Sequence, residues 1–263
     1  MSNDSNNVPV LDAVDPELLH RTVDRRAAVG GLGNLAVTAM AAASVPLALG
    51  LFSKRAWAQG GLPTGIRDVL NFALTLEYLE AAFYQQGLAA SGLIPTASRP
   101  VFQQISQHEN AHVALLQSVL GASAVTTPTF DFTAGGTFSD VFTNYTTFLA
   151  LAQGFEDTGV RAYKGQAGAL ISDNNVLTVA LQIHSVEARH AAQVRRMRMQ
   201  KGWVTGSSTD VTALTAVYAN DNVTMQAGVE TSGFVNANAA SEAFDEPLSK
   251  QAVLDIAGLF IVS

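Results

Sequence analysis

The sequence of 263 residues contains no cysteine. Disulfide bonds, zinc–thiolate sites, iron–sulfur clusters, a cysteine nucleophile and c-type haem attachment all require cysteine, so they are excluded. Charged residues are also scarce, at 14%, against about a quarter in a typical soluble protein. Acidic residues outnumber basic ones, 22 to 15, and the net charge is −7. This balance argues against a nucleic acid or an anionic membrane surface as the main partner.

The first 58 residues resemble an export signal. An arginine pair at residues 25–26 precedes an uncharged run over residues 27–52, and a basic pair at 54–55 and the triplet Ala-Trp-Ala at 56–58 follow it. A cleavable signal consists of a basic segment, an apolar run and a cleavage site of small residues. The arginine pair makes this segment similar to a twin-arginine signal. The run is also long enough to cross a bilayer if it is retained. We expect the working domain outside the cytoplasmic membrane, either periplasmic or anchored by this segment, with membrane contact only if the segment is uncleaved.

The remaining sequence predicts an all-α protein built on four long helices. Apolar residues recur at helical spacing over residues 65–88, and further helices are predicted from Ser98 to Leu120 and from about 139 to 166. Asp173 is a plausible N-cap for a fourth helix, which is predicted to continue to Lys201. A last amphipathic helix is predicted over residues 245–261.

Two segments without helical periodicity divide these helices. Residues 122–136 are too long for a tight helical hairpin and suit a crossover that travels the length of a four-helix bundle. Residues 203–240 are rich in Gly, Ser, Thr, Asn and Val and predict loops with a short strand or hairpin. We therefore predict a leader at 1–58, a bundle at 59–201 and a loop-rich extension with a C-terminal helix at 202–263.

Glutamate and histidine form a repeated pattern within the predicted helices. The second helix carries Glu109 and His112, and the fourth carries Glu187 and His190. Both pairs have the form Glu-x-x-His, and this spacing places the carboxylate and the imidazole on one helical face. A single tetrapeptide of this kind is common by chance, but two of them at matched positions are informative.

The first and third helices add a second matched pair of carboxylates. Glu77 is followed seven residues later by Tyr84, and Glu156 is followed seven residues later by Tyr163. Seven residues make two helical turns, so each tyrosine lies on the stripe of its glutamate. The chain is therefore interpreted as two related helix pairs, each with one Glu helix and one Glu-x-x-His helix.

This pattern resembles the ferritin-like carboxylate proteins, which hold two metal ions inside a four-helix bundle. The segments LNFALTLEYLE at 70–80 and FDEPLSK at 244–250 are typical of the bacterial ferritin-like proteins that include the desiccation-related group. The resemblance implies two divalent ions, iron first and manganese next. It also implies a ligand set of bridging Glu109 and Glu187, terminal Glu77 and Glu156, and one imidazole for each ion from His112 and His190.

The charges of this set explain how such a site can be buried. Four carboxylates and two neutral imidazoles carry −4, which two divalent cations neutralise. Without the cations, four like charges would lie close together in an apolar interior. Oxygen and nitrogen ligands without sulfur suit iron or manganese, with zinc as a competitor.

Glu80 and His184 are alternates to this set. Glu80 lies three residues after Glu77 and either replaces it or reaches the same ion. His184 lies three residues before Glu187 and is either a group behind the ligands or an ordinary packed or surface histidine. The spacing alone leaves both alternatives open.

Other residues beside the pattern are expected to act outside the ligand set. Tyr84 and Tyr163 either orient ligand carboxylates or supply single electrons, or they are core aromatics with a hydrogen-bond partner. His108 sits about 100° round the helix from its neighbour Glu109 and is placed outside the ligands. Arg161 is expected to pair with a carboxylate at a bundle end or on the surface.

The resemblance implies two functions of different kinds. One is a di-iron or di-manganese oxidoreductase that acts on O2 or peroxide, as a ferroxidase or a peroxide scavenger. The other is a non-enzymatic envelope scaffold or a subunit of a membrane-associated assembly, with a structural or vestigial metal site. A homo-oligomer or a membrane-complex partner fits the second function. Fold does not decide between them.

Overall fold

A computed structural model describes residues 61–262 of the chain. The predicted export signal at residues 1–58 lies outside the described residues. The four long helices are α1 Thr64–Ala89, α2 Arg99–Leu120, α3 Tyr145–Gln166 and α4 Asn174–Met197. α1 packs against α2, α3 packs against α4, and α1 also contacts α3. Residues 121–144 join the two pairs, and the predicted all-α bundle with one long crossover is confirmed.

Besides four 3-10 turns, two short α-helices and four short strands complete the described part. They are α5 Ala237–Glu242, α6 Lys250–Ala257, β1 Thr129–Phe130, β2 Met225–Gln226, β3 Val229–Glu230 and β4 Ile261–Val262. β2 and β3 form the short hairpin that the loop-rich segment predicted. Its two turn residues, Ala227 and Gly228, both have positive φ, which matches the twist of a tight hairpin. β1 pairs antiparallel with β4, so the crossover is tied to the C-terminal end.

The predicted start of the third helix is wrong. It begins at Tyr145 rather than near residue 139, because residues 131–143 form turns and Asn144 caps the helix. The Asn144 side chain accepts a hydrogen bond from the backbone N–H of Thr146. A capping side chain of this kind satisfies one of the free N–H groups of the first turn.

Three further predicted helix bounds are wrong: the end of the fourth helix and both ends of the last one. The fourth helix ends at Met197 rather than Lys201, and Met199 takes a φ of 61°, which a right-handed helix does not allow. The last helix covers only residues 250–257, because Ser249 caps it and Ile261 enters β4. The predicted cap at Asp173 is confirmed, since its side chain accepts from the N–H groups of Asn175 and Val176.

The core consists of two apolar clusters with a polar layer between them. Along α1, Leu70 and Leu74 belong to one cluster and Phe83 to the other. Glu77 and Glu80 lie between them on the same helix and are buried. Phe83 stacks on Phe148 of α3 with ring centroids 4.8 Å apart. The apolar clusters therefore hold the helices together on both sides of the polar layer.

Arg161 joins the extension to the bundle. Its guanidinium donates hydrogen bonds to the backbone carbonyls of Val217, Ala219 and Glu246 and lies 3.7 Å from the Asp221 carboxylate. The expected pairing with a carboxylate is confirmed by Asp221, but the pair does not lie on the surface, because only 1% of Arg161 is exposed. A buried guanidinium is costly unless its donors are satisfied, and here the extension satisfies them.

Between residues 61 and 262, no helix combines the length and the apolar character needed to cross a bilayer. The extension packs back on the bundle, since α6 and the 3-10 turn Thr212–Tyr218 both contact α3. The boundary drawn at residues 201–202 stays a prediction.

Candidate metal centre

All six predicted ligand side chains lie together in the polar layer. α1 supplies Glu77, α3 supplies Glu156, and the two Glu-x-x-His pairs come from α2 and α4. Their ligand atoms form two groups, and within each group these atoms lie within 4.8 Å of one another. The groups are Glu77, Glu109, His112 and Glu187, and Glu109, Glu156, Glu187 and His190. None of the six residues is more than 8% exposed.

Each group is arranged around one imidazole nitrogen. His112 Nδ1 lies 3.1 Å from Glu77 Oε2, 3.2 Å from Glu109 Oε2 and 3.1 Å from Glu187 Oε1. Two helix pairs thus meet at His112, because Glu187 comes from α4 and the other two carboxylates come from α1 and α2.

The second imidazole has the mirrored surroundings. His190 Nδ1 lies 2.9 Å from Glu109 Oε1, 3.2 Å from Glu156 Oε2 and 3.5 Å from Glu187 Oε2. Glu109 and Glu187 therefore direct one oxygen to each group. Glu77 and Glu156 each belong to one group alone.

Several of these converging atoms have no hydrogen-bond partner among the described residues. They are Glu109 Oε1, Glu156 Oε2, both carboxylate oxygens of Glu187, and His190 Nδ1. Leaving a buried polar atom without a partner costs about 1–3 kcal/mol, more for a charged one. Four of these atoms belong to the His190 group and Glu187 Oε1 faces the His112 group, so one cation in each group would satisfy all five. The donor set thus fits bound metal ions.

Most of the shifted pKa values in the centre, those of Glu77, Glu156 and His190, move upward and favour proton uptake, whereas that of Glu187 moves downward. Burial raises the pKa of Glu77 to about 8, and it also raises the pKa of Glu156 well above its usual range. Burial by itself would lower the pKa of His190, but the Glu156 and Glu109 carboxylates raise it to about 12. Burial would raise the pKa of Glu187, but the neighbouring His112 and His190 imidazoles lower it to about 2. Protons and metal ions would compete for the same atoms.

The two tyrosines bind glutamates on the opposite helix. The Tyr84 hydroxyl of α1 donates to Glu156 Oε1 of α3, and the Tyr163 hydroxyl of α3 donates to Glu77 Oε1 of α1, each at 2.5 Å. The remaining oxygen of each glutamate faces an imidazole. Each tyrosine therefore fixes the orientation of a carboxylate that comes from the other helix pair.

Neither alternate belongs to either group. Glu80 is buried, and burial together with the Glu187 carboxylate raises its pKa well above the usual range. The absence of a side chain at Gly159 provides room for it, since a Cβ there would lie 3.1 Å from Glu80 Oε1. His184 is partly buried, and its Nε2 has no hydrogen-bond partner among the described residues.

Sequence reasoning missed the contact of His108 with the centre. His108 Nδ1 lies 2.9 Å from His190 Nε2, on the side of the ring that faces away from the carboxylates. The only signal in the sequence was its position one residue before Glu109, which turns it toward a neighbouring helix. The sequence did not indicate that Gly159 leaves room for Glu80, because this glycine lies inside a segment predicted to be one continuous helix.

Comparison with protein families identifies the bundle. The ferritin-like domain model matches residues 66–200, which is more than half of the chain and covers all four long helices. A search of curated proteins found no matching relative. All six residues of the two groups lie within the matched segment.

Proposed function

Because this chain belongs to the ferritin-like domain family, we propose that it holds two divalent metal ions and uses them in redox chemistry with O2 or peroxide. Iron is the first choice and manganese the second, since the ligands are oxygen and nitrogen without sulfur. The protein would then be a ferroxidase or a peroxide scavenger, or, with manganese, an enzyme that disproportionates peroxide. If the ions are iron, a ferrous pair would supply the two electrons that reduce one peroxide molecule to two hydroxide ions, and both ions would become ferric.

One observation carries this proposal. Two groups of buried ligand atoms share Glu109 and Glu187, and five of their atoms have no hydrogen-bond partner among the described residues. Surface glutamates and packed histidines would not converge in this way. Ions held by a shared pair of carboxylates would be able to act together on one small molecule.

The residues have distinct tasks under this proposal. Glu109 and Glu187 would bridge the ions, because each has an oxygen in both groups. Glu77 and Glu156 would each bind one ion through the oxygen that its tyrosine leaves free. The apolar clusters on both sides of the layer exclude water, which strengthens the electrostatic interactions inside it.

Ferrous oxidation in air tests the proposal directly. We expect the whole chain to oxidise added Fe2+ faster than buffer alone, and Glu109→Ala to be no faster than buffer. Glu230→Ala is a matched control, because it removes an exposed carboxylate of β3 and should keep the wild-type rate. Circular dichroism should show the same helix content in all three proteins. A second series with hydrogen peroxide distinguishes the two oxidants.

The outcomes separate the alternatives. A Glu109→Ala protein that retains wild-type turnover would contradict the ligand assignment. Wild-type protein that binds two metal ions but oxidises nothing with either oxidant would support a scaffold with a structural metal site.

A scaffold or assembly subunit is the second candidate, and the surface of the extension favours it. Large apolar side chains are exposed there at Trp203, Met225, Val229, Phe234, Val235, Phe244, Leu254, Leu259 and Val262. A segment that exposes many large apolar side chains is a candidate contact surface. We propose that a second copy of the chain covers them.

Sedimentation tests the assembly. Phe234 is 77% exposed and Ile171, outside the extension, is 73% exposed. We expect wild type and Ile171→Ser to sediment as oligomers and Phe234→Ser to dissociate. If all three are monomers, the covered surface belongs to another partner or to none, and the self-assembly proposal is wrong.

We also propose that the domain works outside the cytoplasmic membrane. The arginine pair, the apolar run and the Ala-Trp-Ala triplet of residues 25–58 support export. A twin-arginine route carries folded protein, so the metal would be loaded before export. N-terminal sequencing of protein from the native cell envelope tests this proposal: a mature chain that begins at Gln59 agrees with cleavage, and an intact leader agrees with a membrane anchor.

A further inference from the structure

His190 is held from behind by a row of polar side chains that leads toward the surface. Its Nδ1 faces the carboxylates, and its Nε2 lies 2.9 Å from His108 Nδ1. His108 Nε2 in turn lies 2.8 Å from the side-chain amide of Gln104, which is exposed. The two imidazole planes differ by only 9°. The ring of His190 is therefore fixed both at its ligand atom and at the opposite nitrogen.

His112 has no comparable support. Its Nδ1 faces three carboxylates in the same way, but no group within residues 61–262 forms a hydrogen bond with its Nε2. The internal repeat explains the difference. Val186 precedes Glu187 just as His108 precedes Glu109, and a valine side chain has no hydrogen-bonding atom. The two halves of the centre thus share their ligands but differ in the residue behind the imidazole.

This difference affects the form of the imidazole that binds a cation. A neutral imidazole that binds through Nδ1 carries its proton on Nε2. In His190 that N–H would donate to His108 Nδ1, and His108 would then carry its own proton on Nε2. The Gln104 amide oxygen can accept a hydrogen bond from that Nε2–H, because a flip of the side-chain amide exchanges the places of its oxygen and nitrogen. The row therefore selects one tautomer and one ring orientation of His190.

We propose that His108 is a positioning residue that makes the His190 half the tighter of the two metal sites. The inference rests on the proposed binding of two metal ions, and His108 itself touches neither ion. Loss of a hydrogen-bond partner behind a ligand histidine typically weakens metal affinity by about 10- to 100-fold. His112 must fix its own orientation when it binds an ion, so its half is the weaker one.

Cobalt binding tests the inference. The whole chain is stripped with a chelator and titrated with Co2+, while visible absorption reports the ligand environment. We expect wild type to bind two ions with different affinities. His108→Phe should weaken the tighter step by about tenfold or more and shift its absorption band. The same step should be the one that Glu156→Ala weakens, because Glu156 belongs to the His190 group alone.

Rescue separates positioning from packing. His108→Asn keeps an acceptor oxygen near the place of Nδ1, and Asn and Phe have similar helix propensities. We expect it to recover most of the affinity and the wild-type band. Val186→Ala is the matched control at the corresponding position of α4, and it should change neither step.

Each result has a defined meaning. Wild-type protein that binds no Co2+ would refute the proposed di-metal function itself. Two bound ions with unchanged affinities in His108→Phe would refute only the role of His108. Equal losses in His108→Phe and His108→Asn, or an equal loss in Val186→Ala, would show a packing effect and would also overturn the inference.

Discussion

The bundle helices share one inner face, but their outer faces differ. Each pair contributes one terminal glutamate and one Glu-x-x-His to the centre. Yet every residue of α3 from Phe148 to Tyr163 is buried, whereas α2 buries residues only at helical spacing, among them Phe102, Glu109 and Leu116. α2 is an ordinary amphipathic helix and α3 is enclosed on all sides.

The extension accounts for this difference. Arg161 of α3 donates to three backbone carbonyls of the extension, and its own carbonyl accepts from the N–H of Leu248. Inner positions are thus set by the ligand geometry that both pairs share. Outer positions are set by whatever packs against them: the extension packs on α3, whereas α2 and α4 each keep an exposed face.

Removing a shared carboxylate should have the largest effect. We expect Glu109→Ala and Glu187→Ala each to lose most of both metal ions, because these residues belong to both groups. Glu77→Ala and Glu156→Ala should each lose about one of the two ions, since each terminal glutamate belongs to one group. Elemental analysis of the purified proteins measures this. Wild-type metal content in both terminal variants would reject their assignment as ligands.

Displacing the extension from α3 should have the next largest effect. At Gly165 of α3, an added Cβ would overlap the carbonyl oxygen of Leu248. We expect Gly165→Ala to lower the free energy of unfolding by about 1–3 kcal/mol, as overpacking does elsewhere, and to expose α3 to hydrogen exchange. Gly168→Ala is the control, because nothing lies within 4 Å of its Cβ. Urea denaturation of both proteins checks the difference, and equal losses would contradict it.

Removing a tyrosine hydroxyl should have a smaller effect on metal affinity. Because each tyrosine binds a glutamate of the other helix pair, the affected ion should be the one held by that glutamate. Tyr84→Phe should weaken binding of the ion on the His190 side, because Tyr84 holds Glu156. Tyr163→Phe should weaken binding of the ion on the His112 side, because Tyr163 holds Glu77. About tenfold is expected for each, as for other groups that orient a ligand. Co2+ titration, with the two steps assigned from the terminal glutamate variants, distinguishes them. An effect of Tyr84→Phe on the His112 side would contradict the crossed arrangement.

Glu80→Gln should have the smallest effect. Burial and neighbouring carboxylates hold the pKa of Glu80 well above its usual range, which favours the neutral carboxyl, a group close to an amide in charge and shape. We expect metal content near that of wild type and an unchanged or slightly higher free energy of unfolding. Metal loss as large as in Glu77→Ala would instead make Glu80 a ligand.

The sequence was sufficient to predict the inner face of the bundle. The offsets within Glu109–His112 and Glu187–His190 follow from the helical period alone, and the matched glutamates indicated which helices would face one another. The structure brings all six side chains together. The long crossover was predictable too, since no hairpin of that length is tight.

Contacts between helices were less predictable. The seven-residue offset placed Tyr84 on the stripe of Glu77, but its partner is Glu156, because the axial stagger of two helices cannot be read from either one. The early end of the last helix depends on the pairing of Ile261 with Phe130 in the distant crossover. The link between His108 and His190 likewise depends on how α2 and α4 pack.

The ligand groups do not follow the division of the chain into pairs. The His112 group takes three residues from α1 and α2 and its fourth, Glu187, from α4, while the His190 group takes Glu109 from α2 and the rest from α3 and α4. If the proposed function is correct, each ion would cross-link the two helix pairs. Loading the protein would then stiffen it against forces that pull the halves apart, and a chelator would undo two cross-links at once.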